Sequence, residues 1–358
     1  MSDSGIGFGG FLVGLGVGWY VFRYIDFSFD IISYLLIIMG AGMVLSGLLN
    51  QGKRKHPLSG AFGGIIGGLF LAIFLTQGFG MISTITNEFT DFSPGSYRAT
   101  ETISLNTPLT ADQVDLSVNV VNGGVDVYQW NGDTVKFDLE IKAKGRNDAD
   151  AQNNLQTFID DIESQSQISA GVQDISLTFP IPSNEWTNYA VNVVVYMPSD
   201  VTASYDLEST NGGLEMTDIT AETIRVDTTN GAIAFSNVEA QQINADTTNG
   251  AISGNLQAED VSIQTTNGGI DITIKKMSGR YNLQTTNGGV DVNLPTGSDV
   301  GYSVNVDSGI GSVSVNLPNM SYSVDATRTK IGETQDYSSK PVKIEVTAET
   351  TIGSVSIN

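Results

Sequence analysis

A turn signal returns along this chain at a nearly fixed interval, and it restricts the fold more than any other feature. Ser-Thr-Asn-Gly or Thr-Thr-Asn-Gly occurs at Asn211-Gly212, Asn230-Gly231, Asn249-Gly250, Asn267-Gly268 and Asn287-Gly288, so successive asparagines lie 19, 19, 18 and 20 residues apart. A constant period of this size marks a repeat architecture in which each unit is one rung of a stack. A single rung cannot bury its apolar face alone, so the stack is the folding unit.

Inside a rung the residues alternate. Tyr205, Leu207 and Ser209 interleave with Asp206, Glu208 and Thr210, and Leu214 and Met216 flank Glu215. Period-two alternation is the signature of a strand with one face in and one face out. Four residues before each Asn stand Leu207, Val226, Ala245, Ile263 and Leu283; three after it stand Leu214, Ile233, Ile252, Ile270 and Val290. Both sets are expected to point inward as apolar columns. Asn and Gly are expected at the corners for their tolerance of φ > 0. Stacked rungs lie ~4.8 Å apart, so the Asn and Thr columns are expected to hydrogen-bond with themselves. The pattern predicts a parallel, three-sided β-solenoid (β-helix) over residues 201–358, with an antiparallel meander of Asn-Gly hairpins as the rival fold.

Imperfect copies extend the repeat. Val121–Val127 is an early one; Asp307–Val315 and Thr351–Ile357 are late ones in which the Asn is replaced. The last reads as a strand. An uncovered edge would invite pairing with another chain; otherwise the strand pairs within the domain.

Residues 1–82 read as a membrane domain. Three apolar stretches, roughly 6–22, 31–49 and 58–79, predict three transmembrane helices; the second and third approach or exceed the ~20 residues that cross a bilayer. The basic cluster Lys53-Arg54-Lys55-His56 places the second loop in the cytoplasm, and so the carboxyl-terminal domain outside the cell membrane. Arg23 runs against that assignment. Gly10, Gly14 and Gly18, and Gly64 and Gly68, are small residues four apart that let helix backbones approach closely. They are expected to pack the helices against one another, or to dock an integral-membrane partner or a second copy.

Residues 83–97 read as a linker ending near Pro94-Gly95, and 98–200 as a membrane-proximal β-rich region with one amphipathic helix over 148–164. Ala151, Leu155, Phe158, Ile159 and Ile162 share a face of that helix, and Asn147 or Asp148 is its N-cap. It is expected to pack on a sheet or to cover the end of the stack. Tyr128, Trp130, Trp186 and Tyr189 lie in the same region, where aromatic rings serve packing, sugar stacking or a membrane interface.

Charge and chemistry narrow the function. The chain carries 39 acidic and 17 basic residues, a net −22, and among the acids only Asp3, Asp26 and Asp30 precede residue 81. An acidic surface repels nucleic acid. With no Cys, thiolate chemistry, iron–sulfur clusters and Cys-type zinc sites have no residues to use; with His56 in the basic loop as the single His, neither a transition-metal site nor a Ser–His–Asp triad is expected. No cofactor and no enzymatic activity are expected. Glu208, Asp227 and Asp246 share one rung position, continued by Gln264 and Gln284. Three carboxylates at strand spacing would repel one another unless a Ca²⁺ sat among them, or unless they simply form a solvated acidic face. Asp271, Asp291 and Asp126 form a second such set. Stacked copies of one acid are poor material for glycoside hydrolysis, which needs two unlike acids across a cleft. Asn319-Met-Ser321 is the one N-glycosylation sequon.

The repeated Thr-x-Asn-Gly-[Gly/Ala]-[Ile/Val]-[Asp/Ser] turns resemble the adhesin-like β-strand repeat family of prokaryotic envelope proteins, a domain of unknown function. Membrane helices ahead of such a domain look like LiaF-type envelope-stress regulators with their toast-rack domain. The resemblance covers roughly 100–358 and implies a β-solenoid-like domain outside the membrane, with no catalytic residues to carry over. The expected function is a non-enzymatic, membrane-anchored envelope protein presenting an acidic solenoid for protein or glycan contacts, or else a regulatory or accessory subunit of a membrane complex.

Overall fold

Strands that follow one another across an Asn-Gly corner do not pair; each pairs instead with its counterpart one rung away. This is the relation that defines the computed structural model, which describes residues 97–160, 162–179 and 186–358. The three apolar stretches, the linker up to residue 96 and the glycines at 10, 14, 18, 64 and 68 lie outside the described residues; residue 97, counted in the linker, opens the first strand. Among the described residues no helix is long and apolar enough to cross a membrane.

The first part holds β1 (Tyr97–Pro108), β2 (Gln113–Asn122), β3 (Val125–Trp130), β4 (Thr134–Gly145), the helix α1 (Asp148–Asp160), β5 (Glu163–Ser169), β6 (Val172–Thr178) and β7 (Tyr189–Pro198). The clean repeats supply β8 (Thr202–Asn211), β9 (Leu214–Thr217), β10 (Thr220–Thr228), β11 (Ile233–Thr247), β12 (Ile252–Asn267), β13 (Ile270–Ile274), β14 (Gly279–Asn287) and β15 (Val290–Asn293). β16 (Val300–Ile310), β17 (Val313–Val315), β18 (Met320–Asp325), β19 (Thr329–Thr334), β20 (Val342–Ile352) and β21 (Val355–Ile357) follow.

Segments before the corners form one parallel ladder, in the order β6, β2, β8, β10, β11, β12, β14, β20, β16. Segments after the corners form a second, in the order β7, β3, β9, β11, β12, β13, β15, β21, β17. These parallel registers replace the rival meander. Antiparallel strands close the ends: β5 on β6, β4 and β1 beyond β7, and β19 and β18 beyond β16.

The inward columns follow from the alternation. Val118, Leu207, Val226, Ala245, Ile263, Leu283, Ala348 and Val306 succeed one another along the first ladder, each at most 1% exposed. Leu214, Ile233, Ile252, Ile270, Val290 and Val355 do the same along the second. Full burial of each such aliphatic side chain stabilises by about 1.5–3 kcal/mol relative to exposure, so the core is a continuous rod rather than a cluster.

The spatial order of rungs departs from the chain order. β20–β21 lies between β14–β15 and β16–β17. Of the two readings of Thr351–Ile357 the structure selects pairing within the domain: the strand is flanked on both sides, and Val355 and Ile357 are buried.

The helix closes at Asp160, four residues before the expected end at 164, while Ile162 is still buried beyond it. Asn147 is the cap, its Oδ1 accepting from the Asp150 N–H at 2.9 Å. Ala151, Leu155 and Phe158 are buried, and the helix packs on β1 and β4, covering the strand pair that closes one end of the second ladder. Terminal rungs need such covering because their outer edge has no next rung.

Candidate functional site

The corners create the surfaces. Asn211 Nδ2 donates to Asn122 Oδ1, Asn230 to Asn211, Asn249 to Asn230, Asn267 to Asn249 and Asn287 to Asn267, every one at 2.9 Å. Each amide from Asn211 to Asn267 both donates and accepts, so the row is continuous and runs in one direction. It ends where Ile352 and Ile310 take the Asn position and stand 50% and 63% exposed.

The threonine column behaves differently from the expectation of self-pairing. The hydroxyls of Thr228, Thr247, Thr265 and Thr285 point inward and donate to the carbonyls of Gly212, Gly231, Gly250 and Gly268 in the neighbouring rung, at 2.8–3.0 Å. Thr350 and Ser308 continue the series on Gly288 and Gly353. The physical reason is burial: a hydroxyl turned into the core must satisfy the nearest corner carbonyl, which would otherwise be orphaned.

The corner glycines also have a different role from the one their turn chemistry suggested. None of Gly212, Gly231, Gly250, Gly268 and Gly288 has a left-handed φ. A Cβ on each would instead stand 1.8–1.9 Å from the carbonyl oxygen of the corner glycine one rung back. Glycine is required there by close approach of backbone to backbone.

Outward from these corners lies an open groove of about 630 Å³ along the first ladder. One of its walls is the predicted acidic column. Glu208, Asp227, Asp246, Gln264 and Gln284 are register neighbours, of which all but Glu208 line the groove; the inserted β20 adds Glu349 and β16 adds Asp307 beyond them. The other wall is the exposed threonine row, Thr248, Thr266, Thr286 and Thr351. Glu349 and Asp307 stand three residues before Ile352 and Ile310, the same offset as the other acids, so that spacing was the signal; what hid them was the permuted rung order.

Of Glu208, Asp227 and Asp246, where calcium was expected, the first two carboxylates meet a guanidinium. Arg225 Nη1 lies 2.9 Å from Asp206 Oδ1 and 3.0 Å from Glu208 Oε1, and Nη2 lies 3.9 Å from Asp227 Oδ2. A guanidinium thus neutralises the near end of the column. At Asp246, burial and then the neighbouring Asp227 raise the carboxyl pKa. Among the described residues no group of three or more His, Cys, Asp or Glu is arranged to hold a metal ion.

The second ladder carries the other acids. Asp271 and Asp291 are register neighbours, and burial followed by the charge of Asp291 raises the Asp271 carboxyl. Asp126 is remote from that pair, because its own neighbour is Glu215. Burial first, and Glu215 second, push the Asp126 carboxyl up to about 6. The aromatics divide as well. Tyr128 and Trp130 gather around Tyr196, with ring centroids 6.0 and 5.9 Å away, whereas Tyr189 packs 5.0 Å from Phe158 of α1. Trp186 opens a short 3₁₀ turn, Trp186–Asn188. Asn319 occupies an exposed turn with φ 56°.

Residues 96–356 match the family described as Toastrack DUF4097. No curated protein matches the chain. Among solved structures, a putative cell adhesion protein from Clostridium sporogenes is 13% identical with a TM-score of 0.33, covering 73% of this chain and 98% of its own. A putative adhesin from Bacteroides fragilis is 9% identical with a TM-score of 0.35, covering 73% and 97% respectively. A putative adhesin from Parabacteroides distasonis is 10% identical with a TM-score of 0.31, again covering 73% and 97%.

Proposed function

The chain belongs to the Toastrack DUF4097 family, and from that premise we propose that it is a non-enzymatic, membrane-anchored envelope protein whose acidic β-solenoid is a contact surface for proteins or glycans. The observation that carries this reading is the groove. Its side chains repeat by register, as Asp227, Asp246, Gln264, Gln284 and Glu349 on one side and threonines on the other. Catalysis needs unlike groups converging on one reacting atom. A periodic row instead offers the same hydrogen-bonding and charge pattern at every rung, which suits an extended, repetitive ligand. The backbone beneath it is held by two hydrogen-bond ladders and a continuous core, so the row is preorganised and binding orders little of the protein.

Retention of the full-length chain, in mild detergent, on the envelope fraction of its own cells tests the reading. Retention should weaken as salt screens the carboxylates and should fall in the variant Asp227→Ala/Asp246→Ala/Glu349→Ala. Absence of retention, or retention that the variant leaves unchanged, overturns the groove as the contact surface.

A further inference from the structure

A different face of the stack, independent of the groove, carries a second recognition element. On the outward side of the second ladder, one row of register neighbours runs Lys136, Tyr196, Tyr128, Thr217, Ser236. The row begins with an ammonium and two rings and then drops abruptly to small hydroxyl side chains. Beside it a parallel row runs Asp138, Val194, Asp126, Glu215, Ala234. The step down from Tyr128 to Thr217 therefore stands directly beside the Asp126–Glu215 carboxylate pair.

The protein shows twice what it places between a tyrosine ring and a carboxylate. Lys136 Nζ sits 5.0 Å from the centroid of Tyr196 and 2.7 Å from Asp138 Oδ2. Lys330 Nζ sits 5.2 Å from the centroid of Tyr322 and pairs with Asp325. An ammonium is attracted by the negative face of the ring and by the carboxylate together. Tyr128 with Asp126 and Glu215 repeats this combination with two carboxylates, yet among the described residues neither acid pairs with a basic side chain. Among the described residues the only side-chain hydrogen bond to the pair comes from Thr217 Oγ1, which donates to Glu215 Oε1 at 3.3 Å.

We propose that Tyr128, Asp126 and Glu215 form a receptor for a lysine ammonium of a partner polypeptide. Charge selects this occupant. A neutral sugar ring would stack on Tyr128 but leave two adjacent carboxylates uncompensated, and an anionic group would be repelled by them. Geometry agrees, since the step is about one strand spacing, ~4.8 Å, wide: it admits the thin stem and compact head of lysine. Burial of Asp126, which raises the cost of its isolated charge, makes the gain on docking a cation larger than at a fully solvated acid.

Zero-length carbodiimide coupling, which joins an amine to a carboxylate as an amide with loss of water to the reagent, tests the proposal on the full-length chain. The probe is an N-acetylated Gly-Ser peptide with one central lysine, and its acetyl-lysine counterpart is the reagent control. Mapping by mass spectrometry should find amides at Asp126 or Glu215 in at least fivefold excess over those at Glu208, Asp227 and Asp246. Tyr128→Leu should remove that excess while leaving coupling at Glu208 unchanged, which certifies the fold; Tyr128→Phe, which keeps the ring, should retain the excess. Coupling spread evenly over exposed acids, or an excess that survives Tyr128→Leu, overturns the proposal. So does protection of Tyr128 by a neutral oligosaccharide without selective lysine coupling, which would make the surface a sugar platform.

Discussion

A methyl group on Gly250 would lie 1.8 Å from the carbonyl oxygen of Gly231 in the rung behind it. No side-chain motion relieves such a contact, because the obstructing atom is backbone in the ladder. Gly250→Ala is therefore expected to destabilise the stack by about 2–3 kcal/mol, the scale of overpacking in a close-packed interior. Asn249→Ala removes exposed hydrogen bonds that water can replace, and should cost about 0.5–1.5 kcal/mol. Chemical denaturation of the two variants separates them; equal losses would mean that the corner glycine answers to turn conformation rather than to close approach.

Thr265 donates to Gly250 at 2.8 Å from a side chain only 5% exposed. Thr265→Val keeps the shape and leaves that carbonyl without its hydroxyl donor. The expected cost is about 1–3 kcal/mol. Thr266→Val, one residue on and exposed, should change the midpoint by no more than a surface substitution, within about 0.5 kcal/mol.

Asp126 gives a pH signature. Its carboxyl is pushed from 3.8 up to about 6 by burial and by Glu215. Between those values the native state retains a proton that the unfolded state has released, so stability falls as pH rises through that window and the loss is complete above it. Asp126→Asn carries no charge at any pH. Its Tm should match the parent near pH 4 and exceed it near pH 7.5; the same Tm at both would mean that solvent already screens this carboxylate.

Much of this architecture is legible in the sequence because side-chain period and rung period are both local signals. Alternation around Leu207 and Leu214 specifies which residues face inward, and the spacing of Asn211, Asn230, Asn249, Asn267 and Asn287 specifies the corners. Three things are not local. The role of Gly250 depends on the carbonyl of a glycine in another rung, so turn propensity suggests the right residue for the wrong reason. The partner of Thr265 is likewise a backbone atom across the rung gap. The order of rungs is set by pairing between distant strand edges, and nothing near Thr351–Ile357 records that this copy sits between Val290–Asn293 and Val313–Val315. The acidic column was readable from its offset to the asparagines as far as Gln284; its continuation through Glu349 and Asp307 was not. The guanidinium of Arg225 sits two residues before Asp227 on an outward position, and only the register shows that it bridges toward Asp206 and Glu208.

The permuted order of the rungs is directly measurable, because the chain contains no cysteine. Asp291 and Ser356 are register neighbours, as are Ser356 and Ser314, whereas Asp291 and Ser314 are separated by a whole strand. Adjacent strands lie ~4.8 Å apart, within the reach of a disulfide, while two spacings exceed the ~7 Å limit between Cα atoms. Under mild oxidation of the full-length chain, Asp291→Cys/Ser356→Cys and Ser314→Cys/Ser356→Cys should each form an intramolecular disulfide, and Asp291→Cys/Ser314→Cys should not. Ser314 and Ser356 are neighbours in either arrangement, so a disulfide in the third pair with none in the first would mean that the rungs stack in chain order, and would contradict the account.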